Sequence, residues 1–144
     1  MKKLSLILIA AGCLLACNQP GKTTATGADS TKTTAAVNAN APVMKFEVES
    51  HDFGKIKQGD KTSYDFKFIN TGKSPLIISN AVASCGCTTP EWPKTPLQPG
   101  QGGEIKVTFD SANKSGLQDK LITITANTNP AQNMVHLIGE VLTK

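Results

Sequence analysis

The sequence predicts an all-β domain, a sandwich of about seven short strands hung behind a cleaved leader and a disordered tether. Three observations predict it. Apolar and polar side chains alternate with period two in several short runs after residue 43. Clusters of Gly, Pro, Asn and Asp separate those runs. No segment of the domain reads as a convincing helix, and 144 residues allow one ordinary domain.

The chain opens with a leader. Lys2 and Lys3 form a positive patch, and Leu4 to Leu15 are apolar or small apart from Ser5. That matches the apolar region of a signal peptide, and it falls short of the ~20 apolar residues a membrane span needs. Leu14-Leu15-Ala16-Cys17 resembles the lipobox of bacterial lipoproteins. In that pattern cleavage precedes the cysteine and its thiol takes the lipid. Residues 1–16 are therefore expected to be removed, with Cys17 as the lipidation site. Cys13 sits inside the apolar run, without an aliphatic residue three places before it, and is not preferred. Acyl chains contribute roughly 0.8 kcal/mol per buried CH₂, so more than one chain gives stable anchoring.

Residues 17–43 read as a linker of Thr, Ala, Gly and Asn with Val37 as a lone larger aliphatic before its end. Such a mixture buries too little apolar surface to offset chain entropy. A coil of about 25 residues reaches roughly 25–30 Å. The domain is expected over 44–144.

Met44, Phe46 and Val48 alternate with charged neighbours, which predicts a half-buried strand. Phe53 to Ile56 is a second, with Gly54 marking a bulge or bend. Tyr64, Phe66 and Phe68 alternate with Asp65 and Lys67 and predict the clearest strand. Asn70-Thr71-Gly72 turns the chain, and Leu76 to Val82 follows as a strand. Pro90 to Gly103 is rich in Pro and Gly and reads as irregular. Ile105, Val107 and Phe109 alternate, as do Ile122, Ile124 and Ala126. Met134 to Leu142 closes the domain. The size is immunoglobulin-like, but the Cys…Trp…Cys spacing of antibody domains is missing.

The domain's two cysteines stand in Ser84-Cys85-Gly86-Cys87-Thr88. In a flat strand their Cα atoms would lie nearly 7 Å apart, at the edge of disulfide reach. Gly86 could fold the tripeptide by taking positive φ. Three readings stay open. The pair forms a local disulfide, favoured by an oxidising compartment. Alternatively it holds a soft metal such as Cu(I) or zinc. The third reading has two small buried residues, or thiols that react with a partner. Two sulfurs leave a zinc site incomplete, and nothing in the sequence brings His51, Met134 or His136 to them. No metal or other cofactor is expected.

Charge is uninformative beyond one exclusion. All 15 basic residues are Lys, against 11 acidic ones, and aromatics make up 5%. Without Arg, a basic cluster or a stacking platform, nucleic acid is not an expected partner. No catalytic motif is present. Thr71-Gly72-Lys73-Ser74 resembles the end of a phosphate loop, but Lys67 occupies the required earlier glycine and Pro75 blocks the helix. Asp52, Asp60, Asp65 and Asp110 scatter over turns and strand faces. Asn113-Lys114-Ser115 is a glycosylation sequon discounted by the bacterial lipobox.

Several marks together resemble the domain-of-unknown-function family 1573 (DUF1573), common among envelope lipoproteins of Bacteroidota. They are Asp52-Phe53-Gly54-Lys55-Ile56, Asn70-Thr71-Gly72, Cys85-Gly86-Cys87-Thr88, Pro99-Gly100 and Gly139-Glu140-Val141. The resemblance implies an immunoglobulin-like sandwich related to major-sperm-protein and Hydin-type domains. It implies no activity and carries over no catalytic residue.

The expected function is that of a non-enzymatic envelope module, lipid-anchored at the outer membrane, that binds a protein or a surface polymer. Trp92 is the candidate partner contact, because Trp is enriched at binding hot spots. Its alternative role is to cover one end of the core. The competing function is thiol-redox or copper handling by Cys85 and Cys87.

Overall fold

The computed structural model describes residues 39–143. The expected leader, Cys17 and the tether as far as residue 38 lie outside the described residues. The described chain forms eight strands: β1 (Met44–Phe46), β2 (Ser50–Lys57), β3 (Lys61–Asn70), β4 (Ile78–Ala83), β5 (Thr88–Glu91), β6 (Gly102–Asp110), β7 (Gly116–Ala126) and β8 (Gln132–Leu142). They make two four-stranded sheets, ordered β1-β3-β6-β5 and β2-β8-β7-β4. β2 runs parallel to β8, and every other neighbouring pair is antiparallel.

Alternation decides which side chains meet between the sheets. Phe66 and Phe68 of β3 and Ile105, Val107 and Phe109 of β6 face Ile122 and Ile124 of β7 and Val135 and Leu137 of β8, all buried. Each of these large side chains contributes roughly 1.5–3 kcal/mol by leaving water. The bulge expected at Gly54 is present: the β2–β8 register shifts between Asp52 and Lys55, and Gly54 has φ 74°.

Two expectations change. About seven strands become eight, because Thr88–Glu91 forms β5 where an irregular stretch was expected to begin at Pro90. β5 is four residues long and pairs with β6 alone, so Pro90 sits at a sheet edge, where a missing N–H is tolerated. The strand expected from Leu76 begins only at Ile78. Leu76 instead exchanges two backbone hydrogen bonds with Leu97, at 2.8 and 2.9 Å, and both side chains are buried.

Each of the two central inward series ends in a buried polar side chain. In β3 the series Tyr64, Phe66, Phe68 continues to Asn70, which is fully buried. Its Oδ1 accepts from Val43 N and Gly72 N, and its Nδ2 donates to the carbonyls of Ser74 and Leu97. In β6 the series Ile105, Val107, Phe109 continues to Ser111, also fully buried. Its hydroxyl donates to Asp60 O at 2.7 Å, lies 3.0 Å from Lys57 O, and accepts from Gly59 N. β3 and β6 are antiparallel, so these two polar plugs close opposite ends of the core. At the Asn70 end the chain is already docked at Asn40, whose carbonyl accepts from Ser74 Oγ. Gly72 permits this approach, since a Cβ there would overlap the backbone of residues 41–43.

Asn70→Ala would strand the N–H groups of Val43 and Gly72 and the carbonyl of Ser74, while the Leu97 carbonyl keeps its bond from Leu76 N. Such groups cost about 1–3 kcal/mol each before relaxation, so a loss of about 3 kcal/mol or more is expected. Urea denaturation should show a lower midpoint with an unchanged slope. A loss below about 1 kcal/mol would refute the plug role. Gly139→Ala tests packing between strands, because the new Cβ would overlap the Phe53 ring. Overpacking of this kind typically costs about 1–3 kcal/mol, read as a lower melting temperature.

Candidate functional site

The cysteine triplet forms the corner where the chain leaves one sheet for the other. β4 ends at Ala83 and β5 begins at Thr88, so Ser84 to Cys87 make the crossing. Three backbone hydrogen bonds fix it: Ser84 N to Leu121 O, Thr88 N to Cys85 O and Asp110 N to Cys87 O. Cys85 and Cys87 are joined as a disulfide, with their Cα atoms 5.3 Å apart. The expected positive φ at Gly86 is not taken. The Thr88 N–Cys85 O bond closes an ordinary four-residue turn, which needs no left-handed residue. A Cβ at position 86 would meet nothing within 4 Å, and Gly86 is exposed.

So small a ring removes little freedom from the unfolded chain. The chain-entropy estimate is about 1.6 kcal/mol, against about 3 kcal/mol for a fifteen-residue loop. The backbone bonds would hold the corner in either oxidation state. Thr88 is buried, and its hydroxyl lies 3.6 Å from Cys85 Sγ and 3.9 Å from Cys87 Sγ. A disulfide sulfur has no proton, so the hydroxyl is the donor.

A groove of about 500 Å³ opens beside the corner, lined among others by Cys87, Lys61, Thr108, Asp110 and Lys114. Lys61 Nζ pairs with Asp110 Oδ2 at 3.1 Å. A hydrogen bond from Ala112 N, then the one from Lys61, holds the Asp110 carboxyl below the usual range. Two lysines against one carboxylate leave the groove with a net positive charge.

The other sequence candidates lie elsewhere. The His51 ring stacks on Tyr64 at 3.5 Å, which joins β2 to β3 across the sandwich. His136 Nδ1 lies 2.8 Å from Asp119 Oδ1 on the outer face of the second sheet. Met134 is 51% exposed on that same face. None of the three lines the groove beside the cysteines. Among the described residues no three His, Cys, Asp or Glu side chains cluster as metal ligands would. Trp92 follows β5 and packs partly against the core, with its indole N–H buried and unpaired. The Lys94 ammonium sits 3.0 Å from the ring centroid. The indole thus meets both the core and a cation, and it borders a hollow of about 260 Å³ with Glu104 and Lys106.

One feature escaped the sequence reading. Exposed sheet edges are normally guarded against added strands by shortness, bulges, Pro or charge. β1 is three residues long, β5 carries Pro90 and Glu91, and β2 carries a bulge with Asp52, Lys55 and Lys57. The fourth edge, β4, has a register shift at its start, between Ile78 and Asn80, but from Ala81 to Ala83 its pairing is regular, and no charged residue occurs between Lys73 and Glu91. On its outer face Val82 aligns with Thr123 and Met134 in one register row. Val82 and Met134 are each about half exposed, at 50% and 51%. The uncharged stretch was the available sequence signal. It becomes meaningful only once β4 is known to be an edge.

Solved structures place this architecture among known folds. A protein of unknown function from Porphyromonas gingivalis W83 is 18% identical with a TM-score of 0.63; the match covers 75% of this chain and 51% of that one. This chain therefore spans about half the length of that relative. The ASH/PapD-like domain of human CEP192 is 9% identical, with a TM-score of 0.59, over 87% of this chain and 99% of that domain. The secreted serine protease VesC from Vibrio cholerae is 10% identical, with a TM-score of 0.53, over 74% of this chain and 24% of the protease. At these identities the likeness establishes an immunoglobulin-like sandwich and nothing about activity. No curated protein sequence matches the chain. Residues 44–141 match the family model described as "Protein of unknown function (DUF1573)". The chain belongs to that DUF1573 family.

Proposed function

We propose that this chain is a lipid-anchored envelope protein whose sandwich binds a protein partner by strand addition and catalyses no reaction. The observation that carries the binding role is the uncharged β4 edge, regularly paired from Ala81 to Ala83. A free edge offers a row of unpaired N–H and C=O groups, and an extended peptide can complete it with main-chain hydrogen bonds. Ser84 N is bonded to Leu121 O, so by alternation Ala83 and Ala81 direct their backbone groups outward from the sheet. The half-exposed Val82 supplies apolar contact beside that row. The absence of charge favours a partner segment that is itself uncharged and rich in β-branched residues.

A non-enzymatic role is supported by where the titratable groups sit. Lys55 pairs with Glu140, Lys61 with Asp110 and His136 with Asp119, on separate parts of the surface. Anchoring rests on the lipobox-like Leu14-Leu15-Ala16-Cys17 and on the polar tether that follows. Asn18 is not the aspartate that retains many lipoproteins at the inner membrane, which favours the outer membrane.

Mass spectrometry of the protein from its host should find a mature N-terminus at Cys17 bearing acyl chains. Cys17→Ser should release the protein from the membrane fraction. An intact leader or an unlipidated end would defeat the anchor. Cross-linking in envelopes should recover a partner through β4. Asn80→Lys with Val82→Lys should lower its recovery about tenfold or more, with the melting temperature changed by only a few degrees. Trp92→Ala should destabilise the fold by about 3 kcal/mol yet retain the partner below its melting temperature. Loss of the partner in folded Trp92→Ala, with retention in the β4 variant, would move the contact to the Trp92 hollow.

A further inference from the structure

The geometry points to Cys85–Cys87 as a thiol–disulfide exchange site that accepts two electrons from a protein dithiol. This goes beyond the binding role and does not depend on it. Four observations converge. The disulfide closes a ring too small to act as much of a staple. Backbone hydrogen bonds from Thr88 and Asp110 hold the corner without it. The open groove is bordered by Cys87, which is partly buried against the core, and carries net positive charge from Lys61 and Lys114 over Asp110, which favours an approaching thiolate. The buried Thr88 hydroxyl reaches both sulfurs and is nearer Cys85.

These features set the order of attack. The partner's thiolate enters along the groove and attacks Cys87 Sγ. A bond forms between the partner sulfur and Cys87, the Cys85–Cys87 bond breaks, and the electron pair leaves on Cys85 as a thiolate. Thr88 Oγ–H donates to that thiolate and makes Cys85 the better leaving group. The partner's second thiol, once deprotonated, attacks the partner sulfur of the mixed disulfide and expels Cys87 as a thiolate. The two protons given up by the partner end on Cys85 and Cys87. The partner is oxidised to a disulfide and the pair is reduced to a dithiol.

The test uses the full chain in detergent, with Cys13→Ser and Cys17→Ser so that the pair alone reports. Dithiothreitol serves as the dithiol, and alkylation followed by mass spectrometry gives the rate of reduction. The folded chain should be reduced without unfolding, and its melting temperature should fall by only a few degrees. Thr88→Val, close in shape, should slow reduction about tenfold through loss of the hydrogen bond to the leaving thiolate. With Cys85→Ser added, a small aromatic disulfide should leave a stable mixed disulfide on Cys87. A pair reduced only on unfolding, an unchanged rate in Thr88→Val, or no adduct on Cys87 would each overturn the assignment.

Discussion

The side chain of Asn70 is the constraint on which one whole end of the sandwich depends. Position 70 continues the inward series of β3, where alternation alone would place another apolar residue. An amide there must find partners for both its donors and its acceptor, because an unpaired polar group in a dry core is costly. It finds them in three different segments: the entering chain at Val43, the turn at Gly72 and Ser74, and the returning loop at Leu97. Its backbone also pairs with Gly100 and Gln101. One residue thus ties together segments that have no regular structure of their own. Ser111 does the same with fewer bonds at the far end, for the turn at residues 57–60. Between these plugs the aromatic and aliphatic layer can stay free of polar atoms.

Fixing the ends also fixes the corner. Ser111 holds the turn between β2 and β3, and Asp110 beside it donates its N–H to Cys87 O and pairs with Lys61. The cysteine corner is therefore braced by the residues that close the core. Its disulfide is the least necessary of the connections around it, and this separates a chemically reactive link from a structural one. Small secreted domains that lean on disulfides use long loops and several bridges. Here a continuous core of sixteen buried apolar residues, from Met44 to Val141, does that work instead.

Much of this was legible because period-two alternation is a direct consequence of the pleat. Tyr64-Phe66-Phe68, Ile105-Val107-Phe109 and Ile122-Ile124-Ala126 all fall inside strands with the expected face buried. What was not legible has a common cause. β5 is short and contains a proline, so its identity depends on an edge position that is a property of the whole sheet. Leu76 reads as the start of a strand, but a partner at Leu97 captures it first. Asn70 reads locally as a turn residue, and its burial emerges only when three distant segments converge. Gly86 reads as a residue able to fold the triplet by taking positive φ, yet an ordinary turn suffices. Local sequence reports local geometry well. It is silent about which strand becomes an edge and which polar group is surrounded.

The sheet orders carry the last step. With β1-β3-β6-β5 stacked on β2-β8-β7-β4 and the corner linking β4 to β5, the β1 and β2 edges share one flank and the β4 and β5 edges share the other. The chain enters the domain at residues 40–43, on the β1 flank, against the 71–74 turn. The uncharged β4 edge and the cysteine corner therefore both lie on the flank away from residues 40–43. They are also contiguous, since Cys85 follows the end of β4 by two residues. A strand added to β4 would end beside Cys85, whereas the groove at Cys87 is lined by residues of β3, β5 and β6 in the other sheet. Strand binding and thiol exchange stand on separate observations and on separate sheets, and the Ser84–Cys87 crossing is where the two meet.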